Sequence, residues 1–332
     1  MPVLKSKKLA LCAFILVLCA AIVSVILATK SNKKASSSKI KIGVALTPLS
    51  SPFLVADQLG IFKKMGLDVT IYPCSSGAAC TRLMLDRNVD YATASDSVVM
   101  FQSFDRDDVS VLASFVESDN DLKLLTLTPA NIDQVSDLEG KKVGIIKGTS
   151  SEFYFDSVLI SAGAQHISVE KVYLHPYELV PALLSYRVDA ISSWEPMGFE
   201  ADLLSVAEVK NIGTRGIYQL SFNLLTRAPY LEFVGDEPIR LLRAIDTAIG
   251  WINSNPDLAI GLIAQRLDAP LNQVEWSWND YLFRLSLGNS LLSNLQLQAR
   301  WALESGLVSG TPPDYREVFY TYPYQQALSQ RD

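Results

Sequence analysis

The apolar positions of this 332-residue chain fall into two regimes. Behind a basic start at Lys5, Lys7 and Lys8, residues 9–29 form twenty-one positions without a charge. As a helix this run would reach ~30 Å, the thickness of a bilayer core. It reads as an uncleaved membrane anchor or a cleaved secretory signal, and its length favours the anchor, since a signal's apolar region spans about 7 to 15 residues. Lipidation at Cys19 or Cys12 would call for a small residue just before the cysteine, where Leu18 and Leu11 stand. Lysines on both flanks leave the orientation open. Residues 30–39, rich in serine and lysine, read as a flexible linker.

From residue 40 the pattern changes to short β-type runs alternating with helical periodicity. KIGVAL at 41–46 predicts a strand, and the next helix is expected from Ser51, with Pro52 at its first position and Gly66 at its end. LDVTIY at 67–72, VDYATAS at 89–95 and VSVLASFV at 109–116 predict further strands, separated by helical stretches. After LLTLT at 124–128 the series restarts with KVGII, VEKVYL and VDAISSW, again with helices between, and YQLSFNLLT at 218–226 adds one more strand. Such alternation predicts parallel βαβ units with helices on both faces. From Asp236 the chain reads as almost wholly helical. The result is two α/β halves with a helical C-terminal tail, a layout suited to two lobes around a cleft.

Charge narrows the functions open to it. Net charge is −6, but residues 1–39 carry seven lysines and no acid, which leaves −13 for residues 40–332. So acidic a surface, with no basic cluster beyond the N-terminus, argues against nucleic-acid binding. His166 and His175 are the only histidines, which excludes a His-rich metal site. GxSxG, HExxH and a Walker-type phosphate loop are absent, no cofactor is expected, and nothing in the pattern requires an enzyme.

In open parallel sheets ligands sit beyond the carboxyl ends of the strands. Five loops occupy such positions: 47–53, 74–80, 94–97, 147–153 and 192–196. Most combine Ser, Thr or Gly with a helix start, where free backbone N–H groups suit an anionic or polar small molecule. Trp194 and Glu195 could stack on a flat ligand and accept from an amine, or serve as a core plug and a helix-terminal charge. Asp96, Glu117, Asp119 and Glu195 stand at strand ends. Cys74 and Cys80 flank the second loop and are either a disulfide around 75–79 or two buried thiols.

The segments KIGVALTPLSSPFLVADQLGIFKKMGLDVTIYPCSSGAAC, LMLDRNVDYATAS, SDLEGKKVGIIKGTSSEFYF and LSYRVDAISSWEP, taken in order, resemble the solute-binding proteins of ABC importers for nitrate, sulfonates, taurine and thiamine-pyrimidine precursors. The resemblance runs from about residue 39 to the C-terminus. It implies a periplasmic-binding-protein type II fold. One lobe would comprise 40–126 and 227–332 with the helical tail, and the other, with the crossover strands, 127–226, hinged near Leu127 and Phe222. By the same resemblance, ligand positions carry over to Thr47, Ser50, Ser75, Ser76, Gly77, Ser95, Thr149, Ser150, Trp194 and Glu195, with Asp96 and Glu117 beside them. A pyrimidine-synthesising branch of the family carries a CCCFC segment, which is absent here.

The expected function is that of an extracytoplasmic solute-binding component, a monomer working with an ABC permease and its ATPase and tethered to the cytoplasmic membrane through residues 9–29. A sensory domain with a membrane signalling partner is a second reading, and a pyrimidine-precursor biosynthetic enzyme a third. No arginine stands in the five loops, while Glu195, Asp96 and Glu117 favour an amine. An aminosulfonate or aminopyrimidine would satisfy both conditions.

Overall fold

A computed structural model of the chain describes residues 39–329. The anchor or signal expected at 9–29 lies outside the described residues, as do positions 30–38 of the linker. No helix among the described residues is long and apolar enough to cross a membrane.

Two mixed sheets that share no strand organise the described residues. The strands are β1 (Lys39–Ala45), β2 (Asp68–Cys74), β3 (Tyr91–Ser95), β4 (Val109–Ser118), β5 (Leu122–Leu127), β6 (Lys142–Ile145), β7 (Glu170–Tyr173), β8 (Ala190–Trp194), β9 (Val209–Asn211), β10 (Leu220–Arg227) and β11 (Tyr281–Ser286). The first sheet runs β11-β4-β10-β3-β1-β2 and the second β7-β6-β8-β5-β9. β1 pairs in parallel with β2 and β3, and β6 with β7 and β8, as the βαβ alternation predicts. Antiparallel strands complete both sheets, β10 and β11 in the first and β5 in the second. β10 lies between β3 and β4, and β5 between β8 and β9.

The strands form where the apolar runs allow burial on both faces. β4 and β5 are buried along their whole lengths, and Ile40, Ile42 and Val44 of β1 are fully enclosed. The first crossover helix, Ser51–Gln58, follows a short turn at Pro48–Ser50 that is capped by Thr47, and Pro52 occupies its first turn. The turns after it pass through Gly60 and Gly66, both at positive φ, a conformation glycine adopts without Cβ strain. In the second sheet, helix Pro176–Leu184 packs Leu179, Val180 and Leu183 against Ile191 of β8.

The chain crosses between the sheets at 119–121 and at 212–219. The expected hinge residues lie elsewhere: Leu127 ends β5 within the second sheet, and Phe222 is inside β10 of the first. The reason is that LKLLTL buries as a strand of the second sheet, antiparallel to β8, so the crossing precedes it. The expected helical tail is also interrupted. β11 alternates buried Tyr281, Phe283 and Leu285 with exposed Leu282 and Arg284, and its pairing with β4 closes the edge of the first sheet. Its period of two is a strand signal within surroundings of helical composition.

One close approach controls the second loop. A Cβ on Gly77 would stand 2.8 Å from the Ala94 Cα, so the helix Gly77–Leu85 packs on β3 only with glycine at that position. Gly77→Ala should lower stability by ~1 to 3 kcal/mol through overpacking, read as a fall in the thermal midpoint. A midpoint equal to wild type would contradict this packing.

Candidate functional site

Residues that follow β1, β2, β3, β6, β7 and β8 converge on one cavity of about 210 Å³. That is below the ~300 to 1,000 Å³ of drug-sized pockets, and suits a small metabolite. Thr47, Ser75, Ser76, Gly77 and Ser95 line it from the first lobe, and Thr149, Ser150, Trp194 and Glu195 from the second. All nine stand among the residues carried over by resemblance.

The sequence shows why these loops take their shapes. Ser76 Oγ accepts from Ala79 N at 3.2 Å and caps the helix Gly77–Leu85. Thr149 Oγ1 accepts from Ser151 N at 3.2 Å, caps Ser150–Ser161, and donates to Ile146 O at 2.7 Å. Ser95 and Ser97 share a 2.9 Å hydroxyl contact at the start of Asp96–Asp105. Three helices thus begin at the cavity wall, where the first N–H groups of a helix lack intrahelical partners and favour negative charge. The Thr149 loop is braced from behind, because buried Glu152 accepts from Gly148 N at 2.8 Å.

Two carboxyl groups also line the cavity. Glu195 was an expected ligand residue. Asp121, on the first crossing, was not named as one. Glu195 accepts from Trp276 Nε1 at 3.0 Å and from Phe199 N at 3.2 Å, with Lys123 Nζ 3.9 Å away. Gly198 leaves room for this arrangement, since a Cβ there would lie 2.6 Å from Glu195 Oε1. Asp121 accepts from Tyr281 Oη at 3.1 Å. Burial, followed by the charge of Glu195, pushes Asp121 up to about 7. Burial also raises Glu195, tempered by the Trp276 bond and by Lys123. Ala78, Val98, Ile146, Pro176, Leu220 and Phe222 supply apolar wall, and no Lys, Arg or His is among the lining residues.

Three expected ligand residues do not line the cavity. Asp96 turns into the protein and accepts from Tyr218 Oη, from Gln298 Nε2 at 3.1 Å and from Ser97 N at 2.9 Å. It thereby fastens the second crossing to the first lobe. Glu117 accepts from Arg284 Nη2 at 2.9 Å and Ser286 Oγ at 2.7 Å, and so links β4 to β11. Ser50 is fully buried beneath the Thr47 turn. Both acids stand at strand ends in the sequence, and their distant partners come from the second crossing, Tyr218, and from the C-terminal part, Gln298, Arg284 and Ser286. Lys147 faces the Tyr173 ring at 5.3 Å rather than the cavity.

Cys74 and Cys80 are joined as a disulfide with their Cα atoms 5.4 Å apart. It closes the loop 75–79, four of whose five residues line the cavity.

Two sheets linked by two crossings, with loops of both lobes around one small cavity, define a two-lobed α/β fold of the periplasmic-binding-protein type. A family model described as NMT1/THI5 like matches residues 47–259, and the chain belongs to that family. It is 25% identical over 253 residues to a protein of Haemophilus influenzae named for thiamine biosynthesis, covering 73% of this chain and 79% of that one. It is 24% identical over 242 residues to a Bacillus subtilis protein named as an aliphatic sulfonates-binding protein, covering 71% and 72%. Among solved structures, the periplasmic aliphatic sulphonate binding protein SsuA of Escherichia coli superposes with a TM-score of 0.76 at 20% identity, over 86% of this chain and 93% of that one.

Asp96 carries a pH signature. Burial pushes its carboxyl up to about 7, against the hydrogen bonds, that of Tyr218 first, that lower it. A raised carboxyl stabilises the fold at low pH, and that contribution is lost as pH rises from about 4 through 7. Asp96→Asn should therefore melt above wild type at pH 8, and the gap should close toward pH 4.5. A pH-independent difference between the two would contradict the burial-driven shift.

Proposed function

We propose that the chain is the extracytoplasmic solute-binding component of an ABC importer, that it is not an enzyme, and that it captures a small amine-bearing polar molecule between its lobes. The permease and ATPase of such an importer would be its partners, with the membrane tether supplied by residues 9–29. The observation that carries the ligand class is the pairing of Asp121 and Glu195 on a cavity without a cationic side chain. Opposite charges suit the two kinds of wall: an ammonium or amino group toward the carboxyls, and an anionic or polar end toward the helix N-termini. An aminosulfonate or an aminopyrimidine meets both demands, whereas nitrate would bring an anion against two acids. Kinship to a protein named as an aliphatic sulfonates-binding protein supports a sulfonate at the anionic end of such a ligand.

Lobe closure would follow from contacts made to both lobes at once, because a ligand shifts a conformational equilibrium only by its differential affinity for the two states. Catalysis finds less support, since the cavity carries no nucleophile paired with a base. Of its hydroxyls, those of Thr47, Ser76 and Thr149 cap helices and those of Ser95 and Ser97 contact one another.

A thermal-shift screen of the full chain against taurine, alkanesulfonates, nitrate, thiamine, aminopyrimidines and polyamines tests this reading. An amine-bearing compound should raise the midpoint, and its amine-free analogue should do so far less. Glu195→Gln should weaken the amine-bearing member by ~1.5 to 3 kcal/mol, the usual cost of losing a charged hydrogen-bond partner. Equal weakening of both members would remove Glu195 from amine recognition, and a response to nitrate alone would reject the ligand class. Affinity for a cationic amine should also rise as pH increases through about 7, as Asp121 ionises.

A further inference from the structure

The lobes also meet away from the cavity. Trp301, on helix Asn289–Glu304 of the first lobe, donates from Nε1 to Asp156 Oδ2 at 2.9 Å, on helix Ser150–Ser161 of the second. Its ring sits edge-on to Phe153 of the facing helix at 5.2 Å and to Phe101 of its own lobe at 6.3 Å. Neither Trp301 nor Asp156 lines the ligand cavity. Beside this contact a groove of about 550 Å³ separates the two helices, with Ser157 and Ile160 on one side and Leu297 and Arg300 on the other. The bond is thus a discrete bridge at the edge of a gap.

Behind the bridge, Asp156 pairs with Lys171 at 2.8 Å, and Lys171 also reaches Glu152 at 3.3 Å. Glu152 is the residue that braces Gly148 N next to Thr149. A continuous line of polar contacts therefore runs from the ligand loop through Glu152, Lys171 and Asp156 to an indole on the opposite lobe. Trp301 is nearly buried at 8% exposure, so its N–H has little access to water once the lobes meet. Separating the lobes would break the bridge and expose the Trp301 and Phe153 rings together.

We propose that the Trp301–Asp156 hydrogen bond is an interlobe clasp that sets how much of the free protein is closed, and through that the ligand affinity, without touching the ligand. This rests on the reading of the chain as a receptor that closes on its ligand. The apparent dissociation constant scales inversely with the populated fraction of the binding-competent state. Loss of a hydrogen bond to a charged acceptor shifts such an equilibrium by about tenfold or more. Trp301 and Asp156 are positioning residues in this account.

Hydrogen–deuterium exchange on the unliganded full chain tests it, because no ligand is needed. Trp301→Phe keeps the edge-on ring contacts and removes the donor. Amides of 150–161 and of the crossing 212–219 should exchange about fivefold faster than in wild type, with the thermal midpoint little changed. Asp156→Ala should behave alike, and carries the test if Trp301→Phe does not fold. Asp156→Asn, which keeps an acceptor oxygen, should return exchange toward wild type. Equal exchange in wild type, Trp301→Phe and Asp156→Ala overturns the clasp. So does acceleration spread evenly over both lobes with a fallen midpoint, the mark of general destabilisation. With taurine as probe, the variants should show an about twofold higher dissociation constant, because the rises in exchange and in dissociation constant share one tenfold shift of the equilibrium, and an unchanged constant beside faster exchange overturns the link to affinity. A wild type that ignores the whole compound panel while the exchange pattern holds removes the receptor reading and leaves the clasp standing as a lobe contact.

Discussion

Two sheets that share no strand must be held in register by two short crossings, and the molecule's polar interior is organised around that need. The first crossing, 119–121, spans three residues, and each is fastened. Asp119 pairs with Arg215 at 2.9 Å, Asn120 donates to Asp280 at 2.9 Å, and Asp121 accepts from Tyr281. The second crossing is tied back through Gly216 N to Asp119 O at 3.0 Å, and through Tyr218 to Asp96. Buried acids of this kind are costly alone and tolerable when donors surround them. Much of the chain's buried charge is spent on joining the lobes, and that leaves a cavity lined by two carboxyls and no cationic side chain, with Lys123 3.9 Å from Glu195 outside the lining.

That division explains why four acids with similar sequence settings do different work. Asp96 and Glu117 are saturated by Tyr218, Gln298, Arg284 and Ser286, and hold strands and the crossing in place. Glu195 is oriented by Trp276, and Asp121 by Tyr281, yet both remain on the cavity surface. The supporting donors, Trp276 and Tyr281, belong to the C-terminal part of the first lobe. Trp301 of that same part reaches the second lobe on another helix. A segment that reads as a plain helical tail is in effect what holds the second lobe's acids against the first.

The loops were legible because a strand followed by Ser, Thr or Gly at a helix start is a local pattern, and Thr47, Ser76 and Thr149 cap as that pattern implies. Asp121 was not named, since its place on the cavity depends on where the chain leaves the first sheet. That is settled by the burial of β5 against β8 rather than by anything near residue 121. Leu220 and Phe222 face the cavity for a similar reason, because β10 is inserted between β3 and β4 from a hundred residues further along. β11 was hidden in helical surroundings although its alternation is visible in Tyr281, Phe283 and Leu285. Local chemistry could be read from the sequence, and contacts over long sequence distances could not.

We propose that the paired acids on the cavity wall, Asp121 and Glu195, receive an amine. Titration calorimetry of the best-binding amine at pH 7, in two buffers of different ionisation enthalpy, measures it most directly. Burial and the charge of Glu195 push Asp121 up to about 7, so a bound cation should complete its ionisation and release protons. A buffer-dependent heat corresponding to a fraction of a proton released is expected, and it should be lost in Asp121→Asn. Binding of the same amine with no proton release, or with uptake, would contradict it.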